Sequence, residues 1–386
     1  MKKVISTEKR PIKLWLDDIE NGALEQAKNL ANLPFAFKHI PLMPDSHQGY
    51  GMPIGSVLAT KEVVVPNAVG VDIGCGMCAL PTSLKNIEKD NLKAILGEAR
   101  KRIPVGMNWH KESQGEERMP EGADSLEIVS QGYNKALKQI GTLGGGNHFV
   151  EIQQGSDGHI WLMIHSGSRN LGAKVADHYN KLAKRLNERY FSVVDKKTDL
   201  AFLPIETPEA KNYLKEMNYC IEFALANRKL MMERLVEAMQ AVLGEFETGE
   251  MINKSHNLAT WENHFGENVL VHRKGATPAF EGELGMIPGS QGTSSYIVKG
   301  LGNPESFKSC SHGAGRKLGR KQAQRTLDLK EEIQYLNDKG IVHAVRNKSD
   351  LDEAVSAYKN IDEVMENQKD LAEIVVQLSP LAVLKG

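Results

Sequence analysis

Val69-Gly-Val-Asp72-Ile-Gly-Cys75-Gly-Met-Cys78 is the stretch around which the chain is organised, and it places one carboxylate and two thiols within a few residues of one another. Glycine at positions 70, 74 and 76 leaves the backbone bare, so it can turn tightly and approach a bound group. Carboxylate and thiolate are both ligands for divalent metal ions. The stretch therefore predicts that Asp72 and Cys75 bind metal.

Cys75 and Cys78 form a Cys-x-x-Cys pair, which has other interpretations. A structural zinc site needs a second such pair, and the only other cysteines are Cys220 and Cys310. A thioredoxin-like redox pair needs a helix that starts at the first cysteine, which Gly76 and Met77 do not favour. We interpret Cys78 as a small buried residue. Because no secretory signal precedes them, the four cysteines are expected to be reduced thiols in the cytoplasm.

The composition is that of a globular protein. Of 386 residues, 41% are hydrophobic and 25% are charged, which is enough apolar material for a large core. The net charge of −1 gives no overall basic field, so any nucleic acid would bind at a local patch. No apolar run approaches the roughly 20 residues that span a bilayer, so no membrane association is expected.

Two segments lack a clear apolar period. Residues 39–55 contain many proline and glycine residues and are predicted to be a loop, which a short strand-like run at 57–60 follows. Within the loop, Asp45 and His47 either cap a turn or form a polar wall of an active site. Residues 107–127 are mostly polar, and we expect them to be an exposed, mobile surface insertion.

Polar side chains also follow two strand-like runs. Gly144-Gly-Gly-Asn147-His148-Phe-Val-Glu151 begins with a glycine run that lets the backbone approach a ligand. His165-Ser-Gly-Ser-Arg169 follows an apolar strand and suits an anion cradle made of hydroxyls, bare backbone and a guanidinium. The alternative for the second motif is a helix N-cap by Ser166 or Ser168.

The C-terminal half contributes a long helix and a turn. Residues 207–243 show helical spacing, and Asn227 lies on the apolar face of that helix, where a polar side chain needs a partner. Ser309-Cys-Ser-His312-Gly-Ala-Gly-Arg316 is a turn rich in small residues. A helix is predicted to begin near Arg316, with its positive N-terminus directed at an anion beside His312.

Taken together, these motifs resemble the RtcB family of RNA-splicing ligases, from about residue 35 to Gly386. The blocks that carry the resemblance are Met-Pro-Asp45-x-His47-Gln-Gly-Tyr-Gly, Gly-Val-Asp72-Ile-Gly-Cys75-Gly-Met, Gly144-x-Gly-Asn147-His148-Phe-x-Glu151, His165-Ser-Gly-Ser-Arg169, Asn-x-Ser-His256-Asn257, Pro288-Gly-Ser290, Ser311-His312-Gly-Ala-Gly-Arg316, Ala357-Tyr358-Lys and Lys385-Gly386. Their number and order make chance agreement implausible.

The resemblance implies an α+β fold: a single large domain over residues 1–386, made of mixed β-sheets flanked by helices and not doubly wound. It also implies an enzyme that joins RNA 3′-phosphate or 2′,3′-cyclic phosphate ends to 5′-hydroxyl ends, in tRNA splicing or in RNA repair. GTP and two divalent metal ions, usually Mn²⁺, are the expected cofactors. The sequence leaves open whether an activating protein partner is needed, and the predicted ligand types also suit Zn²⁺.

The resemblance further assigns roles to individual residues. Cys75 would bridge the two metal ions, with Asp72 and His148 on one side and His165 and His256 on the other. His312 would be the nucleophile that takes GMP from GTP. The guanosine nucleotide would be held by Asn147, Glu151, Ser290, Ser295, Tyr358 and Lys385, with Gly313, Ala314, Gly315 and Arg316 at its phosphates.

Two other functions compete with the ligase. The same residues suit a dinuclear metal phosphodiesterase or phosphatase that acts on RNA ends without a nucleotide. They would also be compatible with a nucleic-acid-binding protein that kept the fold and lost ligation, although every proposed ligand is present. Covalent attachment of GMP separates the first function from the other two.

Overall fold

The computed structural model describes all 386 residues. The strands are β1 (Lys3–Ile5), β2 (Ile12–Leu14), β3 (Ile40–His47), β4 (Ile54–Thr60), β5 (Val63–Val64), β6 (Gly76–Pro81), β7 (Phe149–Gly155), β8 (Ile160–Ser166), β9 (Leu203–Pro204), β10 (Ile252–Ser255), β11 (Asn257–His264), β12 (Glu267–Lys274), β13 (Ala276–Pro278), β14 (Leu284–Ile287), β15 (Ser295–Gly300), β16 (Ser309–Ser311) and β17 (Ala372–Lys385). The α-helices are α1 (Asn21–Ala31), α2 (Pro66–Val69), α3 (Lys89–Arg102), α4 (Glu127–Gln139), α5 (Arg169–Arg189), α6 (Pro208–Leu243), α7 (Arg320–Thr326), α8 (Leu329–Asp338) and α9 (Ile361–Glu366).

Most strands belong to two large sheets. One has six strands in the order β1-β2-β3-β4-β12-β11, and the other has seven in the order β10-β6-β8-β7-β17-β15-β14. Strands β2 and β3 run parallel, whereas the seven-stranded sheet is antiparallel throughout. Doubly wound folds are built on mostly parallel sheets. The predicted α+β class, with helices around mixed sheets, is therefore confirmed.

The seven-stranded sheet is buried on both faces. Helices α3 and α6 cover one face, where Val150 and Ile164 belong to an apolar cluster of 20 buried residues. Met77 and Met163 belong to a second cluster, of nine buried residues, on the other face. Because successive side chains of a strand alternate between faces, Cys78 joins the first cluster while its neighbour Met77 joins the second. Cys78 is thus the small buried residue that the sequence predicts.

The antiparallel order brings polar residues at the ends of five strands to the same side of this sheet. Strands β6 and β7 begin on this side, and β8, β10 and β17 end there. The register aligns Gly76 with both Ser166 and Ser255, and it aligns Phe149 with both His165 and Lys385. Residues that are far apart in the chain therefore meet at a single strand-end row.

The two large sheets are joined at a single residue. Strand β10 of the seven-stranded sheet ends at Ser255, and β11 of the six-stranded sheet begins at Asn257. His256 lies between them, and its backbone N–H donates to the carbonyl of Cys75 at 2.8 Å. The position of this imidazole is therefore fixed by both sheets.

Residues 40–47 form β3, so the predicted loop over residues 39–55 is wrong there, whereas the strand-like run predicted at 57–60 lies in β4. Strand β3 lies between β2 and β4. Its pairing with β4 is irregular between Leu42 and His47. Pro44 lies in that irregular stretch, where its missing N–H interrupts no regular ladder of hydrogen bonds. Tertiary pairing thus outweighs the local preference of the prolines.

The segment 107–127 is only partly exposed. It contains two short 3₁₀ turns, Glu116–Arg118 and Ala123–Ser125. Met119 and Ala123 belong to the largest apolar cluster, which α4, α5 and α6 also form. The expectation that the segment is an exposed insertion is therefore wrong at these two positions. Its mobility, and the organisation of residues 1–386 as one domain, stay predictions. None of the helices combines the length and the apolar composition needed to cross a bilayer.

Candidate active site

Three of the predicted metal ligands converge at the strand-end row. The Sγ atom of Cys75 lies 3.5 Å from Nε2 of His148 and 3.3 Å from Nε2 of His165. All three side chains are buried, and their ligand atoms lie within 4.8 Å of one another. A thiol and two imidazole nitrogens at this spacing form a Cys/His cluster that fits metal binding.

The remaining two predicted ligands extend this cluster on opposite sides. Oδ2 of Asp72 lies 3.5 Å from Nε2 of His148. On the other side, Nε2 of His256 lies 3.4 Å from Nε2 of His165. The five side chains thus form two pairs on either side of Cys75.

The hydrogen bonds of the imidazoles leave the correct nitrogens free. Nδ1 of His148 contacts the carbonyl of Leu143 at 2.9 Å, and Nδ1 of His165 contacts the carbonyl of Asn147 at 3.1 Å. A carbonyl oxygen only accepts, so each Nδ1 carries the proton and each Nε2 presents a lone pair toward Cys75. This is the arrangement of metal-binding histidines.

The pKa shifts in the cluster favour neutral imidazoles. Burial, together with the charge of nearby His148, holds the pKa of His165 well below its usual value. Burial and then His312 act in the same direction on the pKa of His256. Burial and the neighbouring Asp72 raise the pKa of the Cys75 thiol. A thiolate there requires a bound cation, whose charge reverses this preference.

One buried guanidinium holds three of the ligand-bearing segments together. Arg228 of α6 is fully buried. Its Nη1 donates to the carbonyls of Gly74 and Ser166, both at 2.9 Å, and its Nη2 donates to Oγ of Ser255 at 3.2 Å. Each of these partners is next in sequence to a predicted ligand: Cys75, His165 and His256. The rigid fork of arginine therefore fixes the relative positions of the three segments.

Asn227, the polar residue on the apolar face of α6, fixes the neighbouring loops. Its Oδ1 accepts from the backbone N–H groups of Gly141 and Thr142, at 2.7 and 3.2 Å. Its Nδ2 donates to the carbonyl of Gly167 at 3.1 Å and to Oγ of Ser166 at 3.2 Å. Asn227 and Arg228 thus support the cluster from behind, and neither belongs to it.

Ser166 and Ser168 are committed to structural hydrogen bonds. The hydroxyl of Ser166 donates to the carbonyl of Leu143 at 2.8 Å, and that of Ser168 donates to the carbonyl of Ile73. Both residues are fully buried. Ser168 occupies the N-cap of α5 without making a side-chain cap bond. Both predicted roles of these hydroxyls, in an anion cradle and in a helix cap, are therefore wrong.

His312 lies next to the cluster. The rings of His148, His165, His256 and His312 form a row with centroid separations of 5.2, 5.2 and 4.9 Å. Asp45 orients His312, because its Oδ2 contacts Nδ1 of the ring at 2.6 Å and the backbone N of His312 at 3.0 Å. Burial raises the pKa of Asp45, but the charge and the hydrogen bond of His312 outweigh it and hold that pKa below its usual value. An ionised Asp45 accepts a hydrogen bond from the protonated Nδ1, so the lone pair of Nε2 stays free.

The turn after His312 is packed tightly on β3. Gly315 has a φ of +74°, and a Cβ there would lie 2.8 Å from the Cα of Asp45, so no larger residue fits. Ala314 is buried in an apolar cluster. The helix predicted to begin near Arg316 is absent there. Residue 316 forms an isolated bridge with Tyr358, and α7 begins only at Arg320. No helix N-terminus is therefore directed at His312.

Several predicted nucleotide-binding residues gather around a second carboxylate, Glu353. Its Oε1 accepts from Nη1 of Arg316 at 3.0 Å, and its Oε2 accepts from the hydroxyl of Tyr358. Nζ of Lys385 lies 3.9 Å from Oε2. The guanidinium of Arg316 also stacks on the Tyr358 ring, 5.1 Å from its centroid. The edge of β17 and the turn after His312 thus share one charged network.

The buried carboxyls of Glu151 and Glu353 differ in protonation. Burial raises the pKa of Glu151 to about 8, although Lys385 partly opposes this. At Glu353 burial also favours the acid, but Lys385 and Arg316 outweigh it and lower the pKa. Burial in turn lowers the pKa of Lys385. Glu151 is therefore largely protonated near neutral pH, and Glu353 is ionised.

Beside Glu151, a cluster of buried polar side chains keeps one unpaired hydrogen-bond acceptor. Nε2 of Gln153 donates to Oε2 of Glu151 at 2.7 Å and to Oγ of Ser295 at 3.1 Å. The Oε1 of Gln153 is buried and has no partner in the protein. An unpaired buried acceptor lowers the stability of the folded state by about 1–3 kcal/mol, so this cluster suits a ligand that carries N–H donors. Ser290, by contrast, already has a partner in the protein, because its backbone N–H donates to Oγ1 of Thr293 at 2.7 Å.

The structure brings most of the predicted residues together in two adjacent groups. The first group is the Cys/His cluster with His312, and the second surrounds Lys385. Half-buried Asn147 contributes its carbonyl to His165, and Gly313 lies against the carbonyl of Pro288. Sequence reasoning did not assign Arg228, Glu353 or Gln153 a place in the site, and it left the role of Asp45 open. Only the polar residues on the apolar face of α6 carried a signal in the sequence.

Comparison with known proteins agrees with this geometry. The family model described as "tRNA-splicing ligase RtcB" matches residues 26–132 and 109–386. The chain belongs to the RtcB family. Its members are named as RNA ligase enzymes, and the Cys/His cluster and the row of imidazoles lie in the matched region.

Individual relatives are similar over nearly their whole length. The chain is 38% identical to "RNA-splicing ligase RtcB1" of one Escherichia coli strain and 37% identical to "RNA-splicing ligase RtcB" of E. coli strain K12, covering 100% of this chain and 99% of each relative. It is 32% identical to "tRNA-splicing ligase RtcB" of Thermococcus kodakarensis, over 95% of this chain and 92% of that protein.

Replacing the central thiol tests the cluster. We expect Cys75→Ala to abolish tight binding of Co²⁺, and with it the thiolate-to-cobalt charge-transfer absorption, because the thiol at the centre of the cluster is lost. Cys78→Ala is the matched control, since Cys78 is buried nearby and lies outside the cluster. Equal Co²⁺ affinity in the Cys75→Ala variant and the unmodified protein would show that this thiol is not a ligand.

Replacing the supporting fork tests how the cluster is held. Arg228→Lys keeps the charge but loses the fork that reaches Gly74, Ser166 and Ser255. We expect metal affinity to fall about 10- to 100-fold and the melting temperature to drop, as measured by titration and circular dichroism. Arg189→Lys, at the exposed end of α5, should change neither quantity. Unchanged metal affinity in Arg228→Lys would contradict the supporting role.

Proposed function

We propose that this protein is a GTP-dependent RNA ligase that joins an RNA 3′-phosphate or 2′,3′-cyclic phosphate end to a 5′-hydroxyl end through guanylylated His312. The observation that carries the proposal is the arrangement of His312. Its Nδ1 is held 2.6 Å from a buried carboxylate, and its ring lies against the Cys/His cluster. An imidazole with one nitrogen fixed and the other free is a competent nucleophile toward phosphorus.

Two divalent ions fit the donors of the cluster, and we expect them to be Mn²⁺. Cys75 would be shared between them, Asp72 and His148 would hold one, and His165 and His256 would hold the other. The Nε2 lone pairs and the two-sided arrangement about Cys75 support this assignment. When bound, such ions supply positive charge to phosphate oxygens and activate the water that opens a cyclic phosphate.

His312 performs the first step of the proposed reaction. Its Nε2 attacks the α-phosphorus of GTP, a P–N bond forms, and the bond to the leaving pyrophosphate breaks. The imidazole gains positive charge as it attacks, and the carboxylate of Asp45 on Nδ1 stabilises that charge. Asp45 thus acts through orientation and charge, in the way a buried aspartate supports a catalytic histidine.

The RNA ends complete the sequence of bonds. An oxygen of the RNA 3′-phosphate attacks the same phosphorus, and the P–N bond electrons return to Nε2 of His312. The 5′-hydroxyl oxygen then attacks the activated 3′-phosphate, the bond to GMP breaks, and the hydroxyl proton passes to water. Cleaved tRNA and other cleaved RNAs carry such ends, which suits either splicing or repair.

The second group of residues would hold the guanosine nucleotide. Protonated Glu151, the unpaired Oε1 of Gln153 and Ser295 suit the N–H and carbonyl groups of guanine. Lys385 and Arg316 supply positive charge, and Tyr358 offers an aromatic face. Asn147, Ser290 and the Gly313–Gly315 turn complete the proposed contacts, with the turn contributing its backbone, since the Ala314 side chain is buried.

Labelled GTP tests the central step. The protein incubated with α-³²P-GTP and Mn²⁺ should retain label after denaturation, and His312→Ala should retain none. Absence of label over a range of divalent metals would refute guanylylation and would favour a metal phosphodiesterase that works without nucleotide. His178→Ala, at a half-buried position in the middle of α5, is the control and should label normally.

Replacing the orienting carboxylate gives a graded result. Asp45→Asn keeps the shape but removes the charge that supports the attacking imidazole. We expect guanylylation to slow about 100-fold or more, with metal affinity unchanged because Asp45 lies outside the Cys/His cluster. The measurement is the rate of label incorporation at saturating GTP. A rate within about twofold of the unmodified protein would contradict the role of Asp45.

A further inference from the structure

An aromatic ring projects into solvent beside the candidate site. Tyr50 follows β3 and exposes 81% of its surface. Its backbone is nevertheless held firmly, because Nζ of Lys274 donates to its carbonyl at 2.5 Å. The preceding Gly49 exchanges two hydrogen bonds with the side chain of Gln26, at 2.7 and 3.0 Å. A well-fixed loop thus presents an uncovered aromatic side chain.

The loop has no freedom to withdraw this ring. Gly51 adopts a φ of +69°, and a Cβ there would lie 2.6 Å from Nδ2 of Asn67. Lys274 donates to the carbonyl of Asn67 as well, at 3.2 Å. Asn67 in turn donates to the carbonyl of Asp199 at 2.9 Å. The loop is therefore attached to α2, to β12 and to the segment after α5.

Contacts of Lys274 and its neighbour place the loop beside both halves of the metal and histidine group. Gly275 follows Lys274, and a Cβ on Gly275 would lie 3.1 Å from Cε1 of His312. The Lys274 chain also passes Gly70, where a Cβ would lie 3.0 Å from its Cε. Gly70 is two residues before Asp72, whose side chain is 38% exposed. Lys274 therefore links the Tyr50 loop to the two segments that precede Asp72 and lie against His312.

The ammonium group of Lys274 forms its hydrogen bonds within the protein. Both of its hydrogen bonds go to backbone carbonyls, and burial lowers its pKa to about 8. What this loop offers to a ligand is therefore an aromatic face rather than a cation. Val71, 61% exposed on the neighbouring turn, adds a second apolar surface.

We propose that the ring of Tyr50 stacks on a nucleobase of the RNA strand whose end reaches His312. The inference rests on the proposed function, which brings an RNA end to that histidine. Unstacked bases of single-stranded RNA are bound by aromatic side chains, and such stacking tolerates any sequence because every base has a π-face. Because the backbone that carries the ring is already fixed, binding orders little besides the Tyr50 side chain itself.

The experiment measures RNA affinity directly. A fluorescent RNA of about six nucleotides with a 3′-phosphate is titrated with the protein and followed by anisotropy. Tyr50→Ala and Tyr50→Leu should each weaken binding roughly 5- to 100-fold, whereas Tyr50→Phe should bind within about twofold of the unmodified protein. Phe191→Ala is the control: this ring is 91% exposed but follows α5, whose 21 residues extend about 30 Å from Arg169.

Two outcomes of the RNA titration would overturn the stacking role. One is unchanged RNA affinity in Tyr50→Ala and Tyr50→Leu. The other is a loss in Tyr50→Phe as large as in Tyr50→Ala, which would assign the effect to the hydroxyl. Label incorporation from α-³²P-GTP, measured without RNA, should be unchanged in all Tyr50 variants. A higher GTP requirement combined with normal RNA binding would mean that the ring stacks on guanine, and would also overturn the inference.

The two proposals can fail separately. RNA affinity is measured without nucleotide, and guanylylation is measured without RNA. If the unmodified protein takes no label but Tyr50→Ala still loses RNA affinity, the ligase mechanism fails and base stacking stands. If label forms normally while RNA affinity is the same in every Tyr50 variant, the ligase mechanism stands and base stacking fails.

Discussion

The buried guanidinium of Arg228 is the interaction on which the geometry of the site depends. A charge taken out of water is costly unless its hydrogen-bonding groups are satisfied. Here the fork donates to partners adjacent to Cys75, His165 and His256, and its Nε donates to Oδ1 of Asn253 at 2.7 Å. The same bonds that offset burial of the charge therefore hold three distant segments in register. Helix α6, the longest in the chain, contributes to the site mainly through this residue and Asn227.

The antiparallel sheet brings the site residues together without further connections between their segments. Strand starts and strand ends alternate along the row of strand ends, so this row collects residues from five separate parts of the chain. The helices on one face and the apolar cluster on the other keep that row rigid. Candidate ligands that are already held in place lose little conformational freedom when they bind an ion, and the same would hold for the nucleophile proposed at His312.

The candidate metal ligands could be predicted from the sequence more readily than the residues that hold them in place. Glycine-flanked Asp72 and Cys75, and histidines next to polar motifs, were recognisable from residue type and from resemblance to the family. Arg228 and Glu353 were not, because their roles depend on partners in other segments of the chain, such as Gly74 for Arg228 and Lys385 for Glu353. Local preference also failed at β3, where pairing with two neighbouring strands outweighed its prolines, and after Gly315, where the predicted helix begins four residues later.

His256 has a consequence for stability as well as for chemistry. It is the only residue between a strand of one large sheet and a strand of the other, and its Nε2 lies 3.4 Å from that of His165 in the seven-stranded sheet. An ion held by both imidazoles would add a cross-link between the two sheets to the chain connection that already runs through His256. Its binding free energy would then add to the folded state. The same cation would serve as a structural staple before it takes part in any reaction.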